Sequence, residues 1–138
     1  MNNAGVANSN LPLSASLDIA RSELEVNYFG LISMTQAFAP VVAAHGGGAF
    51  VNMLSVASWA AYPVAATYGA SKAAAWSYTN AARQQLKTQG TEVVAVHVGP
   101  VDTDMQAGFD VPKTPRPTWP AAPWTCWRQV GPRPSSTR

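Results

Sequence analysis

The sequence has one cysteine, Cys126, so no disulfide can form within the 138-residue chain, which fits a reducing compartment. Charge is scarce as well. Charged residues make up 12% of the chain, about half the share in an average soluble domain, and this resembles the inside of something larger. No uninterrupted run of about 18 apolar residues occurs, so no membrane-spanning helix is expected. The opening Met1-Asn2-Asn3-Ala4-Gly5 has neither the basic nor the apolar region of a secretory signal, and the expected location is cytoplasmic. No metal site is expected. What is present in quantity is apolar: 47% of residues are hydrophobic, enough to intend one small buried core.

Acid is missing from one part of the chain. The net charge of +2 averages a segment up to Pro112, at −3, with a segment from Lys113 onward that has five basic residues and no acid. A basic arm for nucleic acid or a membrane is one reading of such a tail. Its own composition argues otherwise, and neither partner is expected. Residues 113–138 hold six of the eleven prolines and three of the five tryptophans without helical or strand periodicity, so they form an irregular tail. With GC-rich codons, Pro115–Pro132 read two bases later becomes an amphipathic Ala/Val/Leu-bearing helix that ends on glycine. The tail is therefore read as a frameshift product, with a Pro-rich basic linker as the alternative.

Before the tail the order is regular. Residues 1–15 read as a loop, with Gly5, Pro12 and several Asn and Ser. Ser16 caps a helix over 16–44, with Leu17, Leu24, Tyr28, Leu31, Ile32 and Phe38 on one face, and Pro40 is expected to kink or end its later part. Ala49–Leu54 reads as a buried strand, Tyr68 to about Thr88 as an Ala-rich helix closed by Gly90, and Glu92–Val98 as a second buried strand. Strand, helix and strand in this order form a crossover unit with parallel strands, so the class is α/β.

Tyr68 and Lys72 lie four positions apart, on one face of the second helix. An ammonium near a phenol favours the phenolate, which is what an acid/base tyrosine uses. Ser55 ends the first strand, where parallel sheets bind ligands, and its hydroxyl can donate to a carbonyl oxygen there. Ser58 is read as a plain turn serine. Trp59, Tyr62 and Pro63 suggest an apolar pocket wall or ordinary loop packing.

Five segments in order carry a resemblance: Asn2-Asn3-Ala4-Gly5, Asn27 in Val-Asn-Tyr-Phe-Gly, Val51-Asn52-Met53-Leu54-Ser55, Tyr68-x-x-x-Lys72, and Gly99-Pro100-Val101-Asp102-Thr103. Together they resemble the short-chain dehydrogenases/reductases over roughly residues 1–106, within a partial domain expected to span 1–112. The resemblance implies a partial Rossmann-like fold, a doubly wound parallel sheet without its N-terminal strands. It implies NAD or NADP as cofactor and a small carbonyl or alcohol substrate. It makes Tyr68 the catalytic acid/base and has Lys72 hold the nicotinamide ribose. Ser55 would orient the substrate, and Asn27 would hold a relay water. Asn3, Val101 and Thr103 would border the cofactor. It also implies association of like chains through helices 16–44 and 68–88.

Two departures stand beside it. The family usually has Pro-Gly where this chain has Gly99-Pro100. Its glycine-rich phosphate loop belongs well before Asn-Asn-Ala-Gly, which here starts at residue 2, so the first three strands and most of the fourth lie outside the sequence. Activity of this piece is therefore expected to be impaired. The alternative is a non-catalytic interaction piece. A sugar-nucleotide epimerase also uses Tyr-x-x-x-Lys, but Asn-Asn-Ala-Gly argues against it.

Overall fold

The structure is a computed structural model that describes residues 1–103, 105, 112 and 113. The irregular tail expected from Lys113 to Arg138 lies, apart from its first residue, outside the described residues.

Helix α1 (Leu17–Leu24) runs through a π turn (Glu25–Phe29) into α2 (Gly30–Ala44), as the first helical pattern foretold. Ser16 caps it, its Oγ accepting the Asp18 N–H at 3.2 Å. Pro40 does not end it; the helix continues to Ala44. A proline removes one N–H and leaves the following turns able to bond, and His45 closes the end through its own N–H. The 28-residue run Leu17–Ala44 is long and apolar enough to cross a membrane by length and composition alone.

The buried side of this run is only in part the apolar stripe expected from the sequence: Leu31 is buried and Leu24, Tyr28 and Ile32 are half-buried. Leu17 is 69% exposed and Phe38 48%, whereas Glu23, Asn27, Leu31 and Thr35 are buried. Those four recur every fourth residue, and four α-helical residues overshoot one turn by about 40°. The wider π turn absorbs part of that overshoot and keeps the stripe facing inward.

Strand β1 (Gly48–Ser55) and strand β2 (Thr91–Val98) pair in parallel, Phe50 opposite Val93 and Ser55 opposite Val98. Between them α3 (Ala66–Leu86) crosses back over the sheet. Its buried face, Ser71, Ala75, Thr79 and Ala82, is built of small side chains that let it lie close to β1 and β2. Leu31, Leu54, Ala75 and Ala95 form one apolar cluster, and Phe50, Ala82, Leu86 and Val93 a second. Val51, Met53, Val94 and Val96 are only half-buried, so among the described residues one sheet face is covered, not the two that continuous apolar strands suggest. On the far side of β1, Asn2 adds a single parallel bridge: its N–H donates to Val51 O and its carbonyl accepts from Met53 N.

The two strands are joined at their N-terminal ends by glycine contacts. Gly47, with φ of +102°, sits so near Gly90 that an added Cβ would lie 2.3 Å from the Gly90 carbonyl oxygen. Gly46 also has a positive φ, +83°, but open space around it. Gly47→Ala should therefore destabilise by several kcal/mol more than the ~1–2 kcal/mol of backbone strain that Gly46→Ala incurs. Denaturant titration of the two variants side by side checks this, and equal midpoints would remove the role given to the contact.

Candidate active site

A cavity of about 680 Å³ opens at the C-terminal ends of β1 and β2. The strands deliver Met53–Ser55 and Val98 to it, and α3 contributes Tyr68 and Lys72 from its first two turns. The N-terminal segment adds Asn3 and Gly5, and Val101 and Thr103 close the other side. Seven of the sequence-predicted positions thus fall into two groups. Asn3, Ser55, Tyr68, Lys72, Val101 and Thr103 share the cavity, while Asn27 stands behind it.

Asn27 is 2% exposed, in the π turn. Its Oδ1 accepts the Val6 N–H at 2.9 Å, and its Nδ2 donates to Val6 O and to Ser71 Oγ, each at 2.9 Å. Ser71 Oγ in turn donates to the Tyr68 carbonyl at 2.8 Å. The Asn27 side chain therefore latches the N-terminal segment to the turn of α3 that carries the tyrosine. Gly5 fits between them: a Cβ there would stand 3.2 Å from Asn27 Oδ1 and 3.3 Å from Lys72 Nζ.

Lys72 is 6% exposed, and its Nζ donates to the Met53 carbonyl at 3.0 Å. Burial lowers its pKa to about 8. The ammonium lies 5.9 Å from the centre of the Tyr68 ring. Contrary to the sequence expectation, the phenol is pushed up from its ordinary value. Burial is the main cause; a hydrogen bond with the Ser55 side chain opposes it, and the Glu23 charge adds to it. The Lys72 ammonium is directed at the Met53 carbonyl and is itself desolvated.

Ser55 Oγ accepts the Ala57 N–H at 3.1 Å. That occupies an acceptor lone pair and leaves the hydroxyl proton for the cavity side. Thr103 donates to Val101 O at 3.3 Å. Tyr62 lines the cavity as expected. Trp59 turns away instead, its ring centre 4.0 Å from that of His97.

Sequence reasoning missed a polar network and misjudged one residue. Glu23 is fully buried and accepts from Asn8 N–H at 2.8 Å and from Thr67 Oγ1 at 2.5 Å, tying loop, α1 and the start of α3 together. Ser58 is not a plain turn serine. It is buried, bonds the Ser55 carbonyl, and meets His97 Nδ1 at 2.9 Å.

The α/β crossover brings tyrosine, lysine and serine together at the strand ends of a partial Rossmann-like fold. Residues 1–112 match the short chain dehydrogenase family, and the chain belongs to that family. It is similar to a short chain dehydrogenase from Burkholderia cenocepacia J2315, solved in complex with NADP: TM-score 0.78, 39% identity, 82% of this chain and 48% of that one. A gluconate 5-dehydrogenase from the same organism, solved with NADP and tartrate, superposes with TM-score 0.74 at 27% identity, over 77% of this chain and 42% of that one. The NADPH-dependent 1-acyldihydroxyacetone phosphate reductase of Schizosaccharomyces pombe is 32% identical over 107 residues, 78% of this chain and 36% of the relative. The chain spans less than half the length of these relatives.

Proposed function

We propose that this chain supplies the catalytic half of an NAD(P)-dependent oxidoreductase that interconverts a small carbonyl compound and its alcohol in the cytoplasm. The supporting observation is the convergence of Ser55, Tyr68 and Lys72 on one cavity at the strand ends. The residues fit the nicotinamide end of the cofactor. Lys72 brings a buried ammonium, Ser55 and Thr103 bring hydroxyls, and Gly5 leaves the floor free of a side chain. Lys72 would hold the ribose hydroxyls, with Asn3, Val101 and Thr103 along the border. When bound, NAD(P) supplies or accepts the hydride. Ser55 orients the substrate oxygen by donating its free proton. Tyr68 holds or takes the transferred proton at its phenol oxygen. Asn27 fixes the turn beneath Tyr68 through Ser71. Residues 1–112 form the catalytic part in this reading and 113–138 an appended tail.

The outward side of α1 and α2 suits association with a like chain: Phe29, Met34 and Val41 are about half exposed there. Helices within 16–44 and 68–88 would form that contact.

The test is reconstitution. The chain alone should bind NADPH weakly, because the glycine-rich loop that supplies amides to the phosphates is outside this sequence. Co-expressed with the preceding half of the Burkholderia relative, it should gain both affinity and carbonyl reductase activity, in a particle that sedimentation shows to contain two such complexes. Micromolar binding by the chain alone, or an inactive folded complex, would refute the proposal.

A further inference from the structure

Behind the strand end, the buried pair Ser58 and His97, with the half-buried Trp76 and the more exposed Trp59 packed against it, forms a group that none of the roles above uses. His97 ends the inward face of β2 after Val93 and Ala95 and is fully buried. Trp59 lies against its ring at 4.0 Å, and Trp76 meets it edge-on at 5.7 Å.

The hydrogen bonds fix the state of the imidazole. His97 Nδ1 contacts the Ser55 carbonyl at 3.1 Å and Ser58 Oγ at 2.9 Å. A carbonyl only accepts. Ser58 Oγ gives its one proton to the same Ser55 carbonyl, so toward His97 it too can only accept. Both partners therefore require the proton on Nδ1. His97 Nε2 has no partner, and burial lowers the pKa of the ring below its ordinary value, so the neutral Nδ1–H tautomer is the form present.

Two donors thus converge on one carbonyl, that of Ser55. The same residue begins the short 3-10 turn Val56–Ser58, and its Oγ accepts the Ala57 N–H. With carbonyl and Oγ both engaged, Ser55 has one conformational freedom left, the direction of its hydroxyl proton. The hydroxyl lies within hydrogen-bonding reach of the Tyr68 phenol. We infer that His97 and Ser58 are positioning residues for the oxidoreductase, acting through the Ser55 carbonyl to hold the Ser55 hydroxyl in its donating orientation. The inference rests on the proposed function, since the orientation matters only if Ser55 directs a substrate oxygen.

The experiment uses the full chain in its reconstituted complex, comparing Ser58→Ala, His97→Gln and His97→Asn. The asparagine amide can stand where Nδ1 stands and keep the donor; the glutamine amide reaches the Nε2 side. Ser58→Ala and His97→Gln should each lower kcat on the order of tenfold with NADPH KM unchanged, less than the ~hundredfold of a 1 Å misplacement. His97→Asn should recover most of the rate. Nitrogen-15 spectra of the wild-type complex should show the proton on Nδ1. Unchanged kcat in both Ser58→Ala and His97→Gln, equal loss in His97→Asn and His97→Gln, or a proton on Nε2 would overturn the inference. A complex in which Tyr68→Phe stays active would instead overturn the functional proposal, with the tautomer assignment intact.

Discussion

Tyr68→Phe should lower turnover of the reconstituted complex by roughly 10²–10⁴, the range that a positioned acid/base contributes. The change removes one oxygen and leaves the ring in place beneath the Lys72 ammonium. Folding and NADPH affinity should therefore hold while chemistry is lost, and steady-state kinetics with a binding titration separates the two. The direction of the reaction follows from the environment of the phenol. Its pKa is raised, so it is protonated at neutral pH and ready to donate as a carbonyl is reduced. Alcohol oxidation needs the phenolate and should speed up as pH rises. A Phe variant retaining most of its rate, or oxidation that slows from pH 7 to 9, would remove Tyr68 from the proposed role.

Lys72→Met should stabilise the fold while stopping catalysis. Lys72 has a folded pKa of about 8 against 10.5 for the free side chain, so folding disfavours its charged form. Each tenfold change in proton affinity is worth about 1.4 kcal/mol, so at pH 7 the burden is about 3 kcal/mol. The lost bond to the Met53 carbonyl returns about 1 kcal/mol of it, leaving a net gain of about 2 kcal/mol. Between pH 8 and 10.5 the unfolded chain holds more protons at this site than the folded one, so this group's contribution to stability rises with pH. The advantage of the Met variant should accordingly shrink across that window. Denaturant midpoints at pH 7 and pH 10 measure it, and a Met variant less stable than wild type at pH 7 would refute the account.

The elements that sequence made legible are those set by local chemistry. Short, mostly apolar runs marked β1 and β2, Ala-rich spacing marked α3, and Gly90 marked its end, because each signal is written in neighbouring residues. That Ser55, Tyr68 and Lys72 line one cavity was legible because strand-end geometry and helical spacing bring them together. Asn27 was legible only as a motif residue. Its latch to Val6 and Ser71 spans 21 and 44 positions, which no local pattern encodes. The pairing of Ser58 with His97 spans 39 positions and was missed for the same reason. A signal did exist: His97 shares the strand parity of Val93 and Ala95, and a histidine on an inward face demands a partner. The upward displacement of Tyr68 was misjudged because composition says nothing of how dry a site is.

The π turn at Glu25–Phe29 gives the long first helix two angular phases. Regular α-helix on either side advances by about 100° per residue. The widened turn offsets the two halves, so α1 and α2 each address their own neighbours correctly only while that extra winding persists. Rewinding Glu25–Phe29 as unbroken α-helix with no residue lost would rotate everything on the α1 side by about 100° relative to α2. Glu23 would then swing away from Asn8 and Thr67, and the Val6 latch beside Gly5 would no longer meet Asn27. The register of the whole N-terminal segment against the cavity is set by this one irregular turn.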